Sequence, residues 1–449
     1  MTKTHFIGIG GSGLSAIARL LQESGYTVTG SDRSHSPFVD DLRAVGITVH
    51  IGHDASQITG ADLIVRSSAI PDTNPEVRAA LDAGIPVYKR SDFLGRLMEE
   101  KIGIAIAGTH GKTSTTAMMA WTLTALKQDP SFIVGGIING LNVNAHAGSG
   151  ETFVIEADEY DRMFLGLKPT ISIVTNLEHD HPDIYPTAES FRAAFADFIR
   201  LLPENGILIA CSDDAGAADL LEEAQQIDIE TLAYSLDDVQ GLQPNNKGGF
   251  DFVFNHIAFS LQVPGKHNVL NALAVLNVIG YLGLSLEKAA IALGDYTGTG
   301  RRFELLGQVK GIAIYDDYAH HPTEIRATLS AARARHPEAR IWTVWQPHTY
   351  SRTQMLFDEF AQAFADADKV IVTEVYASRE VKQDFSSAQV VEAMNHFSAQ
   401  FISELQDASN YLIDHLRPND VLLVLSAGDA NEISATVLTT LKEKEVSHG

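Results

Sequence analysis

Short apolar runs alternate with amphipathic stretches along most of the 449-residue chain. The runs end at glycine or polar residues, as buried strands of parallel sheets do, and the stretches between them have helical spacing. Strands are predicted at residues 5–9, 26–30, 47–50, 63–67, 86–88, 102–107, 132–134, 152–155, 171–175, 312–315, 341–345, 369–375 and 421–425. Helices are predicted at residues 14–23, 74–83, 115–126, 188–201, 265–274, 323–334 and 431–441, and a hairpin at 250–254 and 257–263. This alternation predicts an α/β fold with mostly parallel sheets.

The length predicts about three domains, because one hydrophobic core stops growing well below this size. The pattern divides the chain into residues 1–98, 99–300 and 301–449. The second boundary lies in a stretch of small residues followed by Arg301 and Arg302, which is typical of a hinge. We expect a Rossmann-like first domain, a central P-loop ATPase-type α/β domain and a Rossmann-like third domain.

The strand predicted at 102–107 leads into a glycine-rich loop and then a helix. The loop and the start of the helix consist of Gly108, Thr109, His110, Gly111, Lys112, Thr113 and Ser114. Glycines let backbone N–H groups approach phosphate oxygens, a lysine reaches the outer phosphates, and a threonine hydroxyl binds magnesium. The general P-loop pattern has glycine where this chain has Ile106. The motif is therefore a particular sub-class of nucleotide loop or a plain strand-turn-helix connection.

A second glycine-rich turn follows the first predicted strand. It contains Gly8, Gly10, Gly11, Ser12 and Gly13 and matches G-x-G-x-x-G, the turn that places a diphosphate at a helix N-terminus. Asp32 ends the next strand, where a ribose hydroxyl is read. A nicotinamide dehydrogenase and a UDP-sugar-binding protein both satisfy this pattern, as does a turn needed only for close helix packing. Ser67, Ser68 and Ala69 follow another strand of the same domain and are either ligand contacts or an ordinary strand end.

Acidic residues and histidines follow two strands of the central domain. One strand leads into Glu156, Asp158, Glu159 and Asp161, and the other into Glu178, His179, Asp180 and His181. Such clusters beside a phosphate loop are typical of magnesium sites, and the alternative is a solvated acidic loop.

The chain carries a formal net charge of −24, which argues against a nucleic-acid surface because duplex binding requires a basic face. Anionic ligands are still expected at helix N-termini, single arginines or metal ions. Cys211 is the one cysteine, so no intrachain disulfide is possible, and we expect it to be a small buried hydrophobe. No apolar run is long enough to span a bilayer and the start lacks a signal-peptide pattern, so a cytoplasmic protein is expected.

Motifs in all three predicted domains resemble those of the Mur ligases of peptidoglycan synthesis. They read GIGGSGLSAIA, AGTHGKTST, EADEYDRMFL, TNLEHDHPD, GKHNVLNALA, GTGRRFE, YDDYAHHPTEI, QPHTYSRT and LSAGD. The combination spans the whole chain, and the shortened phosphate loop is the form this family uses.

The resemblance implies ATP-dependent synthesis of an amide bond. The muramyl carboxylate of UDP-N-acetylmuramate attacks the γ-phosphate of ATP to give an acyl phosphate, and the amine of L-alanine then displaces phosphate. The implied catalytic residues are Lys112, Glu156, His181 and Arg302, and the implied magnesium ligands are Thr113, Glu156 and His181. The protein is expected to be a monomer or a dimer.

The resemblance also assigns ligand contacts. ATP contacts are implied for the phosphate loop and for Asn268, Asn271, Arg302 and Asp317. The UDP-sugar contacts are Gly10, Gly11, Ser12, Gly13, Asp32, Ser67, Ser68 and Ala69. Tyr318, His320 and Arg352 line the amino-acid pocket, with Arg352 pairing the carboxylate.

Three features bear on the amino acid that is added. Ligases that add later residues carry a carbamylated lysine on the helix after the TNxxxDH motif, and residues 190–201 contain no lysine. Some alanine ligases carry an arginine where this chain has Thr349. The EADEYD motif is also similar to that of the recycling ligase that attaches an intact peptide to UDP-N-acetylmuramate, which is the alternative. A dehydrogenase and a nucleotide-gated binding module without turnover are the other classes considered.

Overall fold

A computed structural model describes residues 2–446, apart from the side chains of Ser12 and Val446. The chain groups into two compact units. Unit 1 comprises Met1–Glu178, Glu189–Ser235 and Asn271–Ala292, and unit 2 comprises His179–Ala188, Leu236–Leu270 and Leu293–Gly449. Within the described residues, no helix has both the length and the apolar character needed to cross a bilayer.

The first sheet of unit 1 is parallel, with strand order β3-β2-β1-β4-β5. Its strands are β1 (Lys3–Ile7), β2 (Thr27–Asp32), β3 (Thr48–Ile51), β4 (Leu63–Arg66) and β5 (Val87–Lys89), and its helices are α1 (Ser12–Glu23), α2 (Pro37–Ala44), α3 (Pro75–Asp82) and α4 (Arg90–Met98). Strand β1 pairs with β2 at one of its edges and with β4 at the other. This arrangement creates a crevice at the carboxyl ends of β1 and β4, where open α/β sheets bind ligands.

The second sheet of unit 1 has the order β12-β11-β10-β6-β9-β7-β8 and is parallel except for the β7–β8 edge. Its strands are β6 (Ile102–Ala107), β7 (Ser131–Ile138), β8 (Val143–His146), β9 (Thr152–Glu156), β10 (Ile171–Val174), β11 (Ile207–Cys211) and β12 (Glu230–Tyr234), and its helices are α5 (Lys112–Ala125), α6 (Ala188–Ile199) and α7 (Ala215–Gln226). The sequence prediction missed β8, β11, β12 and α7. Helix α5 begins at Lys112, three residues before its predicted start, because the glycine turn leads directly into it.

The predicted hairpin is confirmed in unit 2 as part of a three-stranded antiparallel sheet. The strands are β13 (Gln240–Pro244), β14 (Phe250–Phe254) and β15 (Ile257–Ser260), and the helices α8 (Lys266–Tyr281) and α9 (Leu286–Asp295) follow along the chain. Strand β15 ends earlier than predicted. Phe252 and Phe259 stack across β14 and β15 with ring centroids 5.2 Å apart.

The third α/β sheet, called the third sheet below, lies in unit 2 and has the strand order β16-β17-β21-β18-β19-β20. Its strands are β16 (Glu304–Val309), β17 (Ile312–Asp317), β18 (Arg340–Gln346), β19 (Lys369–Val372), β20 (Ala399–Phe401) and β21 (Asp420–Ser426), and its helices are α10 (Pro322–Arg335), α11 (Tyr350–Met355), α12 (Phe357–Ala361), α13 (Ala388–Ala393), α14 (Leu405–His415) and α15 (Asn431–Val446). Only β16 is antiparallel to its neighbour among these described strands. Trp342 and Trp345 are three residues apart on β18 and therefore point to opposite faces of the sheet. Trp345 packs in one core with Phe360, and Trp342 packs in another with Leu412. The three α/β sheets confirm the predicted fold class, whereas the three domain boundaries remain predictions.

Candidate active site

The phosphate loop of unit 1 joins β6 to α5 through two glycines with positive φ. Gly108 has φ 135° and Gly111 has φ 82°, backbone angles that residues other than glycine rarely adopt. A Cβ atom at Gly108 would lie 2.1 Å from Thr175 Oγ1, and one at Gly111 would lie 2.9 Å from Asn271 Oδ1. Both positions therefore need glycine for conformation and for space. The backbone shape expected of a phosphate loop is present.

Hydrogen bonds from the segment after β10 hold this loop in place. Thr109 Oγ1 donates to the carbonyl of Glu178 at 2.7 Å and accepts from its N–H at 2.9 Å. Asn176 Oδ1 accepts from the N–H of His110 at 2.8 Å, and the His110 ring lies 2.9 Å from the Glu178 carboxylate. The TN motif therefore orients the loop, a role that the sequence analysis did not assign to it.

Lys112 is the first residue of α5, and its ammonium group is directed back over the loop. Lys112 Nζ donates to the carbonyl of Gly108 at 2.6 Å and lies 2.9 Å from Glu159 Oε2. Burial lowers the pKa of Lys112, but the carboxylates of Glu159, Asp158 and Glu156 outweigh burial and raise it. The lysine therefore stays charged. Its partner Glu159 is only 1% exposed. The sequence analysis places Glu159 in the acidic cluster after β9 but does not predict its pairing with Lys112.

The predicted magnesium ligands Thr113 and Glu156 meet at the carboxyl end of β9. Thr113 Oγ1 donates to Glu156 Oε1 at 3.0 Å, while Glu156 Oε2 accepts from the N–H of Gly135 at 2.8 Å. A hydroxyl and a carboxylate are the hard oxygen ligands that magnesium prefers, so this pair fits the ion. Ser114 follows in the first turn of α5, and the third predicted ligand, His181, belongs to unit 2.

The glycine turn after β1 is also built as predicted. Gly8 has φ 84°, and its N–H donates to the carbonyl of Ser31 at 2.8 Å. The N–H of Gly10 donates to Asp32 Oδ2 at 2.8 Å, so Asp32 shapes the turn as well as ending β2. Ser67 lies beside Gly8, since a Cβ on that glycine would approach the Ser67 Cβ to 3.1 Å.

The remaining predicted contacts of the first sheet surround this crevice. Gly11 is the N-cap of α1, Gly13 lies in its first turn, and Ser68 and Ala69 are exposed after β4. The prediction for the Ser12 side chain lies outside the described residues.

In unit 2, Arg352 of α11 forms a buried ion pair. Its Nε lies 2.8 Å and its Nη2 3.1 Å from the two oxygens of Asp180, and the side chains are 3% and 4% exposed. Burial would raise the pKa of Asp180, but the charges of Arg352 and His181 hold it well below its usual range. The arginine expected to pair a substrate carboxylate therefore already pairs an aspartate. The sequence analysis did not predict that partner.

Histidines and tyrosines surround Arg352. Its Nη1 lies 3.2 Å from His348 Nδ1, whose ring lies 5.8 Å from those of His320 and Tyr376. Burial lowers the pKa of His320 to about 4 and that of His348 to about 3, so both rings are neutral near pH 7. A neutral ring has one acceptor nitrogen. That of His348 accepts from Arg352, whereas His320 donates from Nδ1 to the carbonyl of Tyr318 and keeps Nε2 as an acceptor. The structure brings together the predicted Tyr318, His320 and Arg352 and adds His348, since the Tyr318 and His320 rings lie 5.4 Å apart.

Asp317, at the end of β17, shapes the turn that carries Arg302. Its carboxylate accepts from the N–H of Phe303 at 2.6 Å and from that of Ala319 at 2.8 Å. Burial raises the pKa of Asp317 to about 6, against the opposing charge of Arg302. The Arg302 guanidinium lies 5.0 Å from the centre of the Tyr318 ring. These contacts connect the turn to the end of β17 and to Tyr318, and its role as a hinge stays a prediction.

The two asparagines expected at adenine are both on α8. Asn268 Nδ2 donates to the carbonyl of Pro264 at 2.7 Å in unit 2. In unit 1, Asn271 borders the phosphate loop, because a Cβ atom at Gly111 would lie 2.9 Å from Asn271 Oδ1. The adenine contact stays a prediction for both residues, and Asn271 lies beside the predicted nucleotide loop.

A Rossmann-like sheet with a glycine turn, followed by a strand, phosphate loop and helix, defines a nucleotide-binding α/β protein of the P-loop class. Comparison with known families narrows this class. The model of the "Mur ligase family, catalytic domain" matches residues 3–102, that of the "Mur ligase middle domain" matches residues 106–279, and that of the "Mur ligase, glutamate ligase domain" matches residues 301–428. The chain belongs to the Mur ligase family.

Individual relatives match over the whole chain. The UDP-N-acetylmuramate–L-alanine ligase of Renibacterium salmoninarum is 42% identical over 456 residues, covering 100% of this chain and 98% of that one. The crystal structure of the UDP-N-acetylmuramate-alanine ligase of Thermotoga maritima superposes with a TM-score of 0.82 at 28% identity, covering 99% and 100% of the two chains. A murein peptide ligase of Psychrobacter arcticus gives a TM-score of 0.70 at 27% identity, covering 98% and 99%.

Proposed function

We propose that this protein is an ATP-dependent ligase that joins L-alanine to the lactyl carboxylate of UDP-N-acetylmuramate. The observation that carries the proposal is the 42% identity, over the full length of this chain, to a ligase with that pair of substrates in its name. In the first step the carboxylate oxygen bonds to the γ-phosphorus of ATP and ADP leaves, forming an acyl phosphate. The alanine amine then bonds to the acyl carbon, phosphate leaves, and the amine loses a proton.

Phosphoryl transfer requires charge compensation more than covalent chemistry, and unit 1 supplies it. The N–H groups of Thr109 and His110 donate to Asn176, so the N-terminal end of α5 is proposed to bind the phosphate oxygens. Lys112 carries a positive charge at the start of this helix. Glu159 holds the Lys112 ammonium over the loop before the nucleotide arrives. The lysine is therefore preorganised, which avoids a reorganisation cost during the reaction.

Thr113 and Glu156 are the residues that would hold magnesium, and His181 is proposed for a second ion. Magnesium would add positive charge at the phosphate oxygens. The N–H of Gly135 fixes the Glu156 carboxylate, so its second oxygen faces Thr113. This geometry supports one oxygen-rich position, whereas the role of His181 depends on the family resemblance alone.

Alanine is proposed to bind at Arg352, Tyr318 and His320. The bidentate pair with Asp180 uses one edge of the Arg352 guanidinium, which leaves the edge near His348 for a substrate carboxylate. His320 is neutral at pH 7, and its Nδ1–H donates to the carbonyl of Tyr318, so its Nε2 can accept a hydrogen bond from the substrate ammonium group. Asn268, Asn271, Asp317 and Arg302 are proposed for ATP. The glycine turn after β1, Asp32 and residues 67–69 are proposed for the UDP group.

The same substrates support a cytoplasmic location, because ATP and nucleotide sugars are cytoplasmic metabolites. The oligomeric state is proposed to be a monomer or a dimer.

A phosphate-release assay with purified protein tests the proposal. With ATP, magnesium and UDP-N-acetylmuramate present, L-alanine should give the fastest turnover among single amino acids. Equal turnover with glycine or serine would overturn the assignment of alanine. Absence of turnover with intact ATP binding would favour a binding module.

A second candidate function is ligation of an intact peptide to UDP-N-acetylmuramate. It is supported by the similarity of this chain to the murein peptide ligase of Psychrobacter arcticus and by the EADEYD motif. The same assay with the tripeptide in place of alanine separates the two candidates. Faster turnover with the tripeptide would favour the second. Binding of a nicotinamide cofactor, read by its fluorescence, would instead support a dehydrogenase.

A further inference from the structure

Arg90, the first residue of α4, lies against the glycine-rich turn of the first sheet. A Cβ atom built on Gly13 would fall 1.8 Å from Arg90 Nη1 and 2.9 Å from its Cζ. The guanidinium therefore packs directly on the first turn of α1. Helix α1 carries no side-chain cap at Gly11 and no acidic residue in its first turn. A positive side chain and the positive end of a helix thus lie next to each other.

The guanidinium has weak partners in the described part of the chain. Asp158 Oδ2 lies 3.5 Å away, and Nη2 is directed at the thioether sulfur of Met163. A thioether is a poor acceptor, and 3.5 Å is long for a charge-assisted hydrogen bond. The Arg90 side chain is 27% exposed. Most of its five N–H donors are therefore available to a stronger anion.

A diphosphate suits this arrangement. The helix terminus offers backbone N–H groups, and a planar guanidinium binds two phosphate oxygens side by side. Arg90 follows β5, so α4 delivers its side chain to the crevice formed by β1 and β4. The sequence analysis assigned this region a glycine turn and an aspartate but no cation.

We infer that Arg90 is a specificity-determining ligand for the diphosphate of the nucleotide sugar, which it clamps against the first turn of α1. The inference rests on the proposed function for the identity of that sugar nucleotide. Asp158 serves as a loose resting partner that the diphosphate displaces. The residue thereby distinguishes UDP compounds from an uncharged nucleoside.

Calorimetric binding of UDP, UDP-N-acetylmuramate and uridine to the full-length protein tests this role. Arg90→Met should weaken both diphosphate ligands tenfold or more and change uridine binding by less than twofold. Arg90→Lys should recover part of the loss, because a lysine keeps the charge without the planar pair of donors. Arg96→Met is the matched control, because Arg96 is a cation on the same helix whose guanidinium lies over the Tyr88 ring and not at the glycine turn. It should bind all three ligands as the wild type does.

A second variant separates ligand binding from a structural role of the Arg90–Asp158 contact. Asp158→Asn should keep the preference for UDP over uridine. If Arg90→Met and Asp158→Asn lose UDP binding equally, or if Arg90→Met binds UDP as tightly as the wild type, the inference is wrong. Retained ATP binding by Arg90→Met confirms that the variant is folded. Failure of the wild-type protein to bind UDP-N-acetylmuramate would overturn the proposed function instead.

Discussion

Individual charged residues in this protein are held by specific partners. Lys112 is paired with Glu159, Arg352 with Asp180, and Asp32 accepts a hydrogen bond from the glycine turn. The two residues of each pair are far apart in sequence, by 47 positions for Lys112 and Glu159 and by 172 for Arg352 and Asp180. A motif search finds Lys112 and Arg352 because their neighbours in sequence are distinctive, but it does not find Glu159 or Asp180 as their partners.

Replacement of Lys112 by methionine should lower kcat more than a hundredfold. The variant loses the charge that compensates the transferring phosphoryl group, a loss of several kcal/mol by the usual arithmetic. Steady-state phosphate release measures the effect. Lys101→Met is the matched control, because Lys101 also donates to backbone carbonyls but precedes β6 instead of following the loop. Unchanged kcat in Lys112→Met would refute the role of the lysine.

Unit 2 should lose stability as the pH falls from 7 to 5. Burial lowers the pKa of His267 and His320 to about 4 and that of His348 to about 3. The unfolded chain then binds more protons below about pH 6.5, so these three contributions are complete above that pH and are lost on acidification. Asp317, with its pKa raised to about 6, acts in the opposite direction. Three histidines outweigh one carboxyl group.

Urea unfolding at pH 5, 6 and 7 measures this effect as a midpoint that rises with pH. His267→Gln should flatten the rise, because glutamine does not bind a proton in the unfolded chain as the buried His267 does on unfolding. A midpoint that stays constant or falls between pH 5 and pH 7 would contradict the prediction.

At the scale of the elements, the chemistry lies at the carboxyl ends of parallel strands. The ends of β6, β9 and β10 lie side by side in the second sheet, which brings the phosphate loop, Glu156 and Asn176 into one place. The apolar runs of β6 and β10 predict these strands, and the parallel topology follows from the helices between them. The strand order cannot be read from the sequence, because it depends on which edges pair after the chain collapses.

Gly108→Ala should abolish ATP binding and lower the thermal midpoint. The alanine Cβ would meet Thr175 Oγ1 at 2.1 Å, and φ of 135° is strained for any other residue. Calorimetry with ATP and a thermal melt measure both effects. Gly280→Ala is the matched control, because Gly280 lies within α8 with open space around it. It should bind ATP normally and be stabilised by about 0.5–1 kcal/mol. ATP binding by Gly108→Ala would contradict the loop geometry.

At the scale of the whole molecule, the chain is a set of α/β sheets that each bury their own core. Predicted strands lie in all four sheets, and the family models match residues 3–102, 106–279 and 301–428. The missed strands β16 and β20 are at edges of the third sheet and β8 and β12 at edges of the second, where half-exposed residues weaken the apolar signal. Strand β11 is a different case, because its residues Ile207–Cys211 are all apolar although the sequence analysis predicts no strand there.

Cys211 reports the unfolding of unit 1 as a whole. Burial raises the pKa of this thiol to about 11, so the native protein should react slowly with a thiol reagent at pH 8. Reaction then requires opening of the core around β11. ATP and magnesium at a hundredfold excess over the dissociation constant should stabilise the folded state by about 2.7 kcal/mol and slow labelling about a hundredfold. Spectrophotometric labelling rates measure this.

The chain unfolded in urea serves as the control for labelling and should react at the same rate with and without ATP. Rapid labelling of the folded protein, or a rate that ATP leaves unchanged, would contradict the assignment of Cys211 to a cooperative core.

The sequence by itself determined the fold class, the two glycine turns and the residues that can carry charge at the reacting groups. These features depend on local spacing, because a strand has a period of two, a helix has a period of 3.6, and a backbone turn with positive φ favours glycine. Only the tertiary structure decided that Glu159 holds Lys112, that Asp180 occupies Arg352 and that Arg90 reaches Gly13. Those contacts join residues on separate elements. Their distances depend on strand order and helix placement, which are properties of the packed core and not of any stretch of sequence.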